Sequence, residues 1–307
     1  MATSHAPPPQ RNNARETSGV SYGTDKPGLL QSLVLWRHKR RWVRRHSYQM
    51  NHADAMVISH TKSGRTWLRI MISHLYHLAY GTPATEIIGF DNLHKLNPAI
   101  PRVYFNRDTR IPAFSRKRQY IPAPTDRRTL FLVRDPRDVA VSFHFHVCNR
   151  ASERELMRKG IPEQAKSLSL YDFVMDPQLG IPRVIDHYNR WHDEMQTMPH
   201  SMIVHYEELH TDPAGTLARV MQFIDREFSR DEIDKAVEFA SFDSLSRKEK
   251  TGYFKSGRMQ PTDPGDAGSR KVRRGKVGGY SDYFTPAQNA IIDTLVKETL
   301  NPGFGYS

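Results

Sequence analysis

Two stretches of this chain combine cations, hydroxyls and a glycine in patterns suited to gripping phosphate. The first is Ser59-His60-Thr61-Lys62-Ser63-Gly64-Arg65-Thr66-Trp67. It follows a short apolar run and precedes apolar residues at helical spacing, so it reads as a loop joining a strand to a helix. Such a junction is an anion site, because the first-turn N–H groups lack intrahelical acceptors and the positive helix end points at the ligand. Lys62 adds a mobile positive charge, Ser63 and Thr66 add hydroxyl donors, and Gly64 permits close backbone approach. The common NTPase loop places its lysine after the second glycine of G-x-x-x-x-G-K-[ST]. Here Lys62 precedes the glycine and the loop is shorter, which disfavours an ordinary ATPase or a small-molecule kinase.

The second stretch is Leu132-Val133-Arg134-Asp135-Pro136-Arg137-Asp138-Val139-Ala140-Val141-Ser142. It again runs from strand to helix and puts Arg134 at the carboxyl end of its strand, where ligands bind in open parallel sheets. A guanidinium fork suits a phosphate bidentately. Ser142 reaches the same anion only if the chain folds back at Asp135-Pro136. The competing structural reading is a simple pair between Arg134 and Asp138.

The elements that must position these residues are legible as short apolar strands alternating with amphipathic helices. Ala55 to Ile58, Thr129 to Val133 and Met202 to Val204 read as buried strands. Leu68, Met71, Ile72, Leu75 and Leu78 recur at helical spacing. So do Val184, Tyr188, Trp191 and Met195, and so do Leu217, Val220, Met221 and Ile224. Asp135-Pro136 and Asp212-Pro213 pair an N-cap with proline at the first helical position. Ser229 with Glu232 and Thr285 with Gln288 have capping-box spacing. This alternation predicts an α/β fold, one domain with a central parallel sheet flanked by helices. From Gly252 to Gly279 the rhythm breaks into a long loop with seven glycines and the basic run Arg270 to Lys276. Long loops inside compact domains are usually functional or disordered.

Length and composition fit that picture. With 307 residues, 38% hydrophobic and 25% charged, the chain is globular. A single cysteine excludes an internal disulfide framework and makes a reducing, cytoplasmic location the expectation. No apolar run is long enough for a transmembrane helix. Lys+Arg 45 against Asp+Glu 33 leaves +12, which favours anionic ligands. Residues 1–28 read as a disordered tail. Residues 29–50 form a basic amphipathic segment in which Leu29 to His46 could touch an anionic membrane surface. Residues 51–307 form the domain. The basic residues fall in two short runs with no nucleic-acid motif beside them, so no nucleic-acid partner is expected.

Taken together, the two phosphate-like segments resemble those of the cytosolic-type sulfotransferases, which use 3′-phosphoadenosine-5′-phosphosulfate (PAPS). The family's P-K-S-G-T-T-W is similar to Thr61 through Trp67, and its R-N-P-K-D-V-A-V-S to Arg134 through Ser142. His205-Tyr206-Glu207-Glu208-Leu209 resembles Y-E-D-L, and Arg273 through Tyr280 resembles R-K-G-x-x-G-D-W. The version with Arg65 and R-D-P-R-D looks like bacterial members. The resemblance spans about Val57 to Leu300 and implies a fold related to the P-loop kinases. It also implies roles. Lys62, Ser63, Gly64, Arg65, Thr66 and Trp67 would hold the 5′ end, with Trp67 stacked on adenine and Tyr206 framing the base. Arg134 and Ser142 would grip the 3′-phosphate. Arg273, Arg274 and Gly275 would close over it, and Ser241-Phe242 would line the nucleotide.

The implied reaction transfers a sulfuryl group to an acceptor hydroxyl or amine and leaves adenosine 3′,5′-bisphosphate. Lys62 and the following helix N-terminus are suited to stabilise the leaving oxygen. Fixed cations would neutralise the bisphosphate, so no metal is required, and the 15 histidines show no metal-ligand spacing. The family's catalytic histidine corresponds to Arg107, and a guanidinium cannot act as a base. Asp108 is the first candidate base, with His94, Glu86 and Asp91 behind it. The same substitution makes a catalytically silent PAPS- or polyanion-binding relative the alternative. Arg107, Arg110, Arg116, Lys117 and Arg118 would suit an anionic or glycan acceptor or form a solvated face. Phe143, Phe145 and Tyr171 would line a lipid or aromatic-alcohol pocket or belong to the core.

Overall fold

The computed structural model describes residues 29–106, 126–260, 271 and 275–306. Four parallel strands form one sheet: β1 (Ala55–Ser59), β2 (Val103–Asn106), β3 (Arg128–Val133) and β4 (Ser201–His205), in the order β2-β1-β3-β4. Ala55 pairs with Val103 on one side and Arg128 on the other, and Val133 pairs with His205. β1 is buried along its whole length, as expected of a strand covered on both faces, so Ala55 to Ile58 are all apolar rather than alternating.

The two faces bury different cores. Ala55, Val57, Leu130 and Leu132 point to a core built with α2 (Arg65–Tyr80), α8 (Pro213–Ile224) and α9 (Arg230–Phe239). Met56, Ile58, Phe131 and Val133 point to the other, built with α3 (Pro136–Asn149), α6 (Ile181–Met195) and α11 (Pro286–Thr299). Both capping boxes form, at Ser229/Glu232 and Thr285/Gln288. Asp135 and Asp212 cap α3 and α8 as their spacing requires. The smaller helices are α4 (Glu153–Lys159), α5 (Leu170–Met175), α7 (Tyr206–Thr211) and α10 (Phe242–Lys250).

Three strands were legible in the sequence; β2 is the fourth. It has four residues, Val103–Asn106, too few for a pattern, and its pairing with β1 makes it a strand. The basic segment is part of α1 (Leu29–Asn51), which runs past the expected end at His46. It docks through buried Met50 and through His46, whose Nδ1 meets the Tyr104 hydroxyl at 2.5 Å. Residues 1–28 lie outside the described residues.

Candidate functional site

The carboxyl ends of the strands all open onto one region, and the chain leaves β1 and β3 in the crevice where the strand order reverses. Lys62 follows β1, Arg134 follows β3, and Tyr206 follows β4. All three line a cavity of about 900 Å³, together with Gly64, Arg65, Thr66, Trp67, Ser142, Phe242 and Gly275. That volume lies within the range of small-molecule sites.

The loop after β1 is held in an unusual conformation. Lys62 has φ 80°, the one positive φ at a non-glycine among the described residues. Such backbone costs on the order of 1–3 kcal/mol and gathers at ligand clamps. Gly64 has φ 87°, and a Cβ there would meet Tyr206 Cδ2 at 2.5 Å. Only glycine therefore lets the loop lie against the tyrosine ring. Gly64 supplies no side-chain cap to α2, so the first-turn N–H groups of a long helix remain suited to an anion.

The predicted residues divide by what their side chains touch. Trp67 lines the cavity, donates Nε1 to Ala240 O at 2.8 Å and packs edge-on to Tyr206. Burial pushes the Tyr206 phenol above its ordinary pKa. Arg65 Nη1 donates to Ser59 Oγ at 2.8 Å and to Asn106 O at 2.7 Å, bracing the ends of β1 and β2. Ser63 is buried with its hydroxyl on Tyr188, 3.3 Å away, rather than on the cavity wall. Arg134 lies over the Tyr206 ring at 4.3 Å and donates Nη2 to Asp138 Oδ2 at 3.1 Å. The pair with Asp138 and a place on the cavity wall thus coexist. Phe242 packs on Gly275, whose φ of 61° and closeness to that ring leave no room for a side chain.

Asp108, Arg273 and Arg274 lie outside the described residues, as do Arg107, Arg110, Arg116, Lys117 and Arg118. Glu86, Asp91 and His94 do not line the cavity. Asp91 pairs with Lys95 at 2.7 Å, and His94 Nδ1 meets Ile100 O at 2.7 Å. Phe143 is buried in a satellite core with Val147 and Phe173, and Phe145 packs on Tyr283. Among the described residues no group of three or more His, Cys, Asp or Glu could hold a metal ion.

Beyond the Arg134–Asp138 pair, several contacts at the site were not legible in the sequence. Asp138 accepts from Arg134 and from the N–H groups of Gly278 (3.0 Å) and Tyr280 (2.9 Å), which pins the late loop to α3. His210 Nε2 and Gly275 O are 2.9 Å apart and close the same loop from α7. Tyr188 links the Ser63 hydroxyl to the Arg134 backbone from inside the core. His146, Glu155 and Lys159 line the cavity as a cluster. The one signal for His146 was its place a helical turn beyond Ser142, and for Asp138 its spacing from Arg134; the remaining contacts cross the fold and carried none.

The cavity has the makings of an anion site: a cradle only glycine permits, an uncapped long helix, and cations delivered from two strand ends. The sequence model described as "Sulfotransferase domain" matches residues 52–303. Cytosolic sulfotransferase 8 of Arabidopsis thaliana is 25% identical over 277 residues, covering 83% of this chain and 78% of the relative. The structure of retinol dehydratase with androsterone and inactive cofactor PAP superposes with a TM-score of 0.57 at 18% identity, covering 85% of each chain. Mouse sulfotransferase SULT7A1 complexed with PAP gives 0.52 at 20% identity, covering 81% and 84%. At such identities the structures speak to the fold, and the domain match across most of the chain decides its kinship: this chain belongs to the sulfotransferase family and is a sulfotransferase.

Proposed function

We propose that the enzyme transfers a sulfuryl group from PAPS to a hydroxyl or amine of its acceptor. The observation that carries the reading is the convergence of Lys62, Arg134 and Tyr206 from three parallel strand ends onto one cavity. When bound, PAPS supplies the sulfuryl group and its bisphosphate is the leaving group.

Lys62 and the N-terminus of α2 stabilise the charge that develops on the leaving oxygen, the largest contribution a fixed site usually makes. Gly64, Arg65 and Thr66 frame the 5′ end, and Ser63 acts from behind by bonding Tyr188. Trp67, Tyr206 and Phe242 enclose the base. Arg134 and Ser142 hold the 3′-phosphate, and Gly275, with Arg273 and Arg274 of the same loop, closes over it. Holding acceptor and donor in line removes much of the entropic barrier. Asp108 is the base that sequence alone proposes.

Glycan, lipid and small aromatic alcohols are the acceptor classes to screen. Similarity to a relative named as a cytosolic sulfotransferase supports a cytoplasmic location. Arg37, Arg40, Arg41, Arg44 and Arg45 are exposed on α1, which supports contact of residues 29–46 with an anionic surface. Unchanged liposome binding after deletion of residues 1–46 contradicts that contact. Sulfur-labelled PAPS, offered with hydroxyl and amine acceptors, tests the transfer. Label on an acceptor is expected, and bound bisphosphate with no label on any acceptor contradicts it.

A further inference from the structure

One wall of the cavity carries a cluster that nucleotide binding leaves unused. His146 lies one turn beyond Ser142 on α3, and Glu155 and Lys159 lie one turn apart on α4. All three line the cavity that contains Lys62. His146 Nε2 is 3.2 Å from Glu155 Oε1 and 3.4 Å from Lys159 Nζ, and the Glu155–Lys159 pair closes at 2.7 Å. Among the described residues, Nδ1 of this ring makes no hydrogen bond.

A carboxylate at one ring nitrogen fixes the proton there and leaves the lone pair on the other. Glu155 is the nearer partner of Nε2, at 3.2 Å against 3.4 Å for Lys159, whose ammonium is taken up by Glu155 at 2.7 Å; with the proton on Nε2 the lone pair lies on Nδ1. Burial is the largest influence on the ring and holds its pKa below the ordinary imidazole value; Lys159 and Lys62 push the same way, and Glu155 opposes them. The charged groups around the ring are Glu155 and Lys159 from α4, Lys62 from the loop after β1, and Arg150 just past α3, which itself feels the Glu155 charge. A neutral imidazole at neutral pH is what proton abstraction needs. The ring shares the cavity with Lys62 and feels its charge.

We infer that His146, oriented by Glu155, takes the proton from the acceptor hydroxyl; this rests on the sulfotransferase reading of the cavity. The acceptor O–H proton passes to Nδ1 as the acceptor oxygen bonds to sulfur. The bond from sulfur to the bisphosphate oxygen breaks, with its electron pair left on that oxygen beside Lys62. The imidazolium then returns its proton to water. Glu155 is a positioning residue, and Asp108 is the competing base.

Histidine NMR, with the His146 signal assigned through H146Q, reads the ring directly while bisphosphate binding is followed in the same samples. The ring is expected to titrate below about 6.5. Bound adenosine 3′,5′-bisphosphate brings negative charge to Lys62 and raises that value. Lys159→Met raises it and Glu155→Gln lowers it, and the acid limb of kcat/KM moves in the same directions. With PAPS and 2-naphthol as the probe acceptor, H146Q lowers kcat about 10²–10⁴-fold at unchanged bisphosphate affinity. An imidazole indifferent to bound bisphosphate overturns the inference whether or not 2-naphthol is turned over. Wild-type turnover in H146Q does the same. Absence of bisphosphate binding removes the reading beneath it as well, so the two failures are distinct.

Discussion

The buried hydroxyl of Tyr188 brackets the backbone of Arg134: it donates to Arg134 O at 2.8 Å and accepts from Arg134 N at 3.0 Å. Ser63 Oγ lies 3.3 Å from the Tyr188 hydroxyl and, since that phenol's proton goes to Arg134 O, donates to it. One core phenol thus joins the loop after β1 to the turn after β3, and burial pushes its pKa well above the ordinary value, so it remains protonated and able to donate. Tyr188→Phe leaves two backbone groups of Arg134 without this partner. Loss of about 1–3 kcal/mol in chemical denaturation is expected, with weaker discrimination in favour of a 3′-phosphate. Wild-type stability would show that the hydroxyl positions nothing.

Lys62 occupies its left-handed conformation at the mouth of α2. Lys62→Ala relieves the charge but not the loop geometry. Transfer is expected to fall by about 10²–10³-fold, while adenosine 3′,5′-bisphosphate retains most of its affinity in calorimetry. Turnover equal to wild type would contradict the leaving-group role.

Arg134 is tied to Asp138, to Lys276 O and to the Tyr206 ring. Arg134→Ala should cost about 1.5–3 kcal/mol of affinity for nucleotides with a 3′-phosphate and little for ADP. Equal losses for both ligands would make the side chain structural.

His74 gives the fold a pH dependence away from the cavity. Its ring stacks on Phe239 at 3.8 Å, and burial, with His77 and Lys248 adding, lowers its pKa to about 4 from 6.5. The folded state therefore binds fewer protons than the unfolded one between those values. This contribution is complete above about 6.5 and is lost as pH falls through that window towards 4. The ring is only half-buried, so about 1–2 kcal/mol is expected after screening. His74→Gln should flatten the melting temperature between pH 7 and pH 4, and an unaltered slope would assign the loss to other groups.

Much of this was legible because local chemistry carried it. The Lys62-Ser63-Gly64 loop and the Arg134 turn were read from residue types at strand-to-helix junctions, and both junctions lie on the cavity. Asp135, Ser229 and Thr285 cap the helices their spacing indicates. What escaped depends on tertiary contact. Val103–Asn106 becomes a strand only through β1, and Tyr188 was visible merely as one apolar-face residue of α6. Ser63 and Arg65 show the converse: their types suit phosphate, yet their side chains brace Tyr188 and the strand ends. Glu155 meets His146 because α4 folds back beside α3, a return the sequence does not announce.

The cavity is proposed as a 3′-phosphonucleotide site. A thermal-shift titration with adenosine 3′,5′-bisphosphate against ADP, AMP and ATP–Mg²⁺ tests it directly. A ligand at about 100 times its Kd stabilises by about 2.7 kcal/mol, a shift such a titration resolves. A rise specific to the 3′-phosphate is the expected result. No rise, or a preference for ATP–Mg²⁺, would contradict the account.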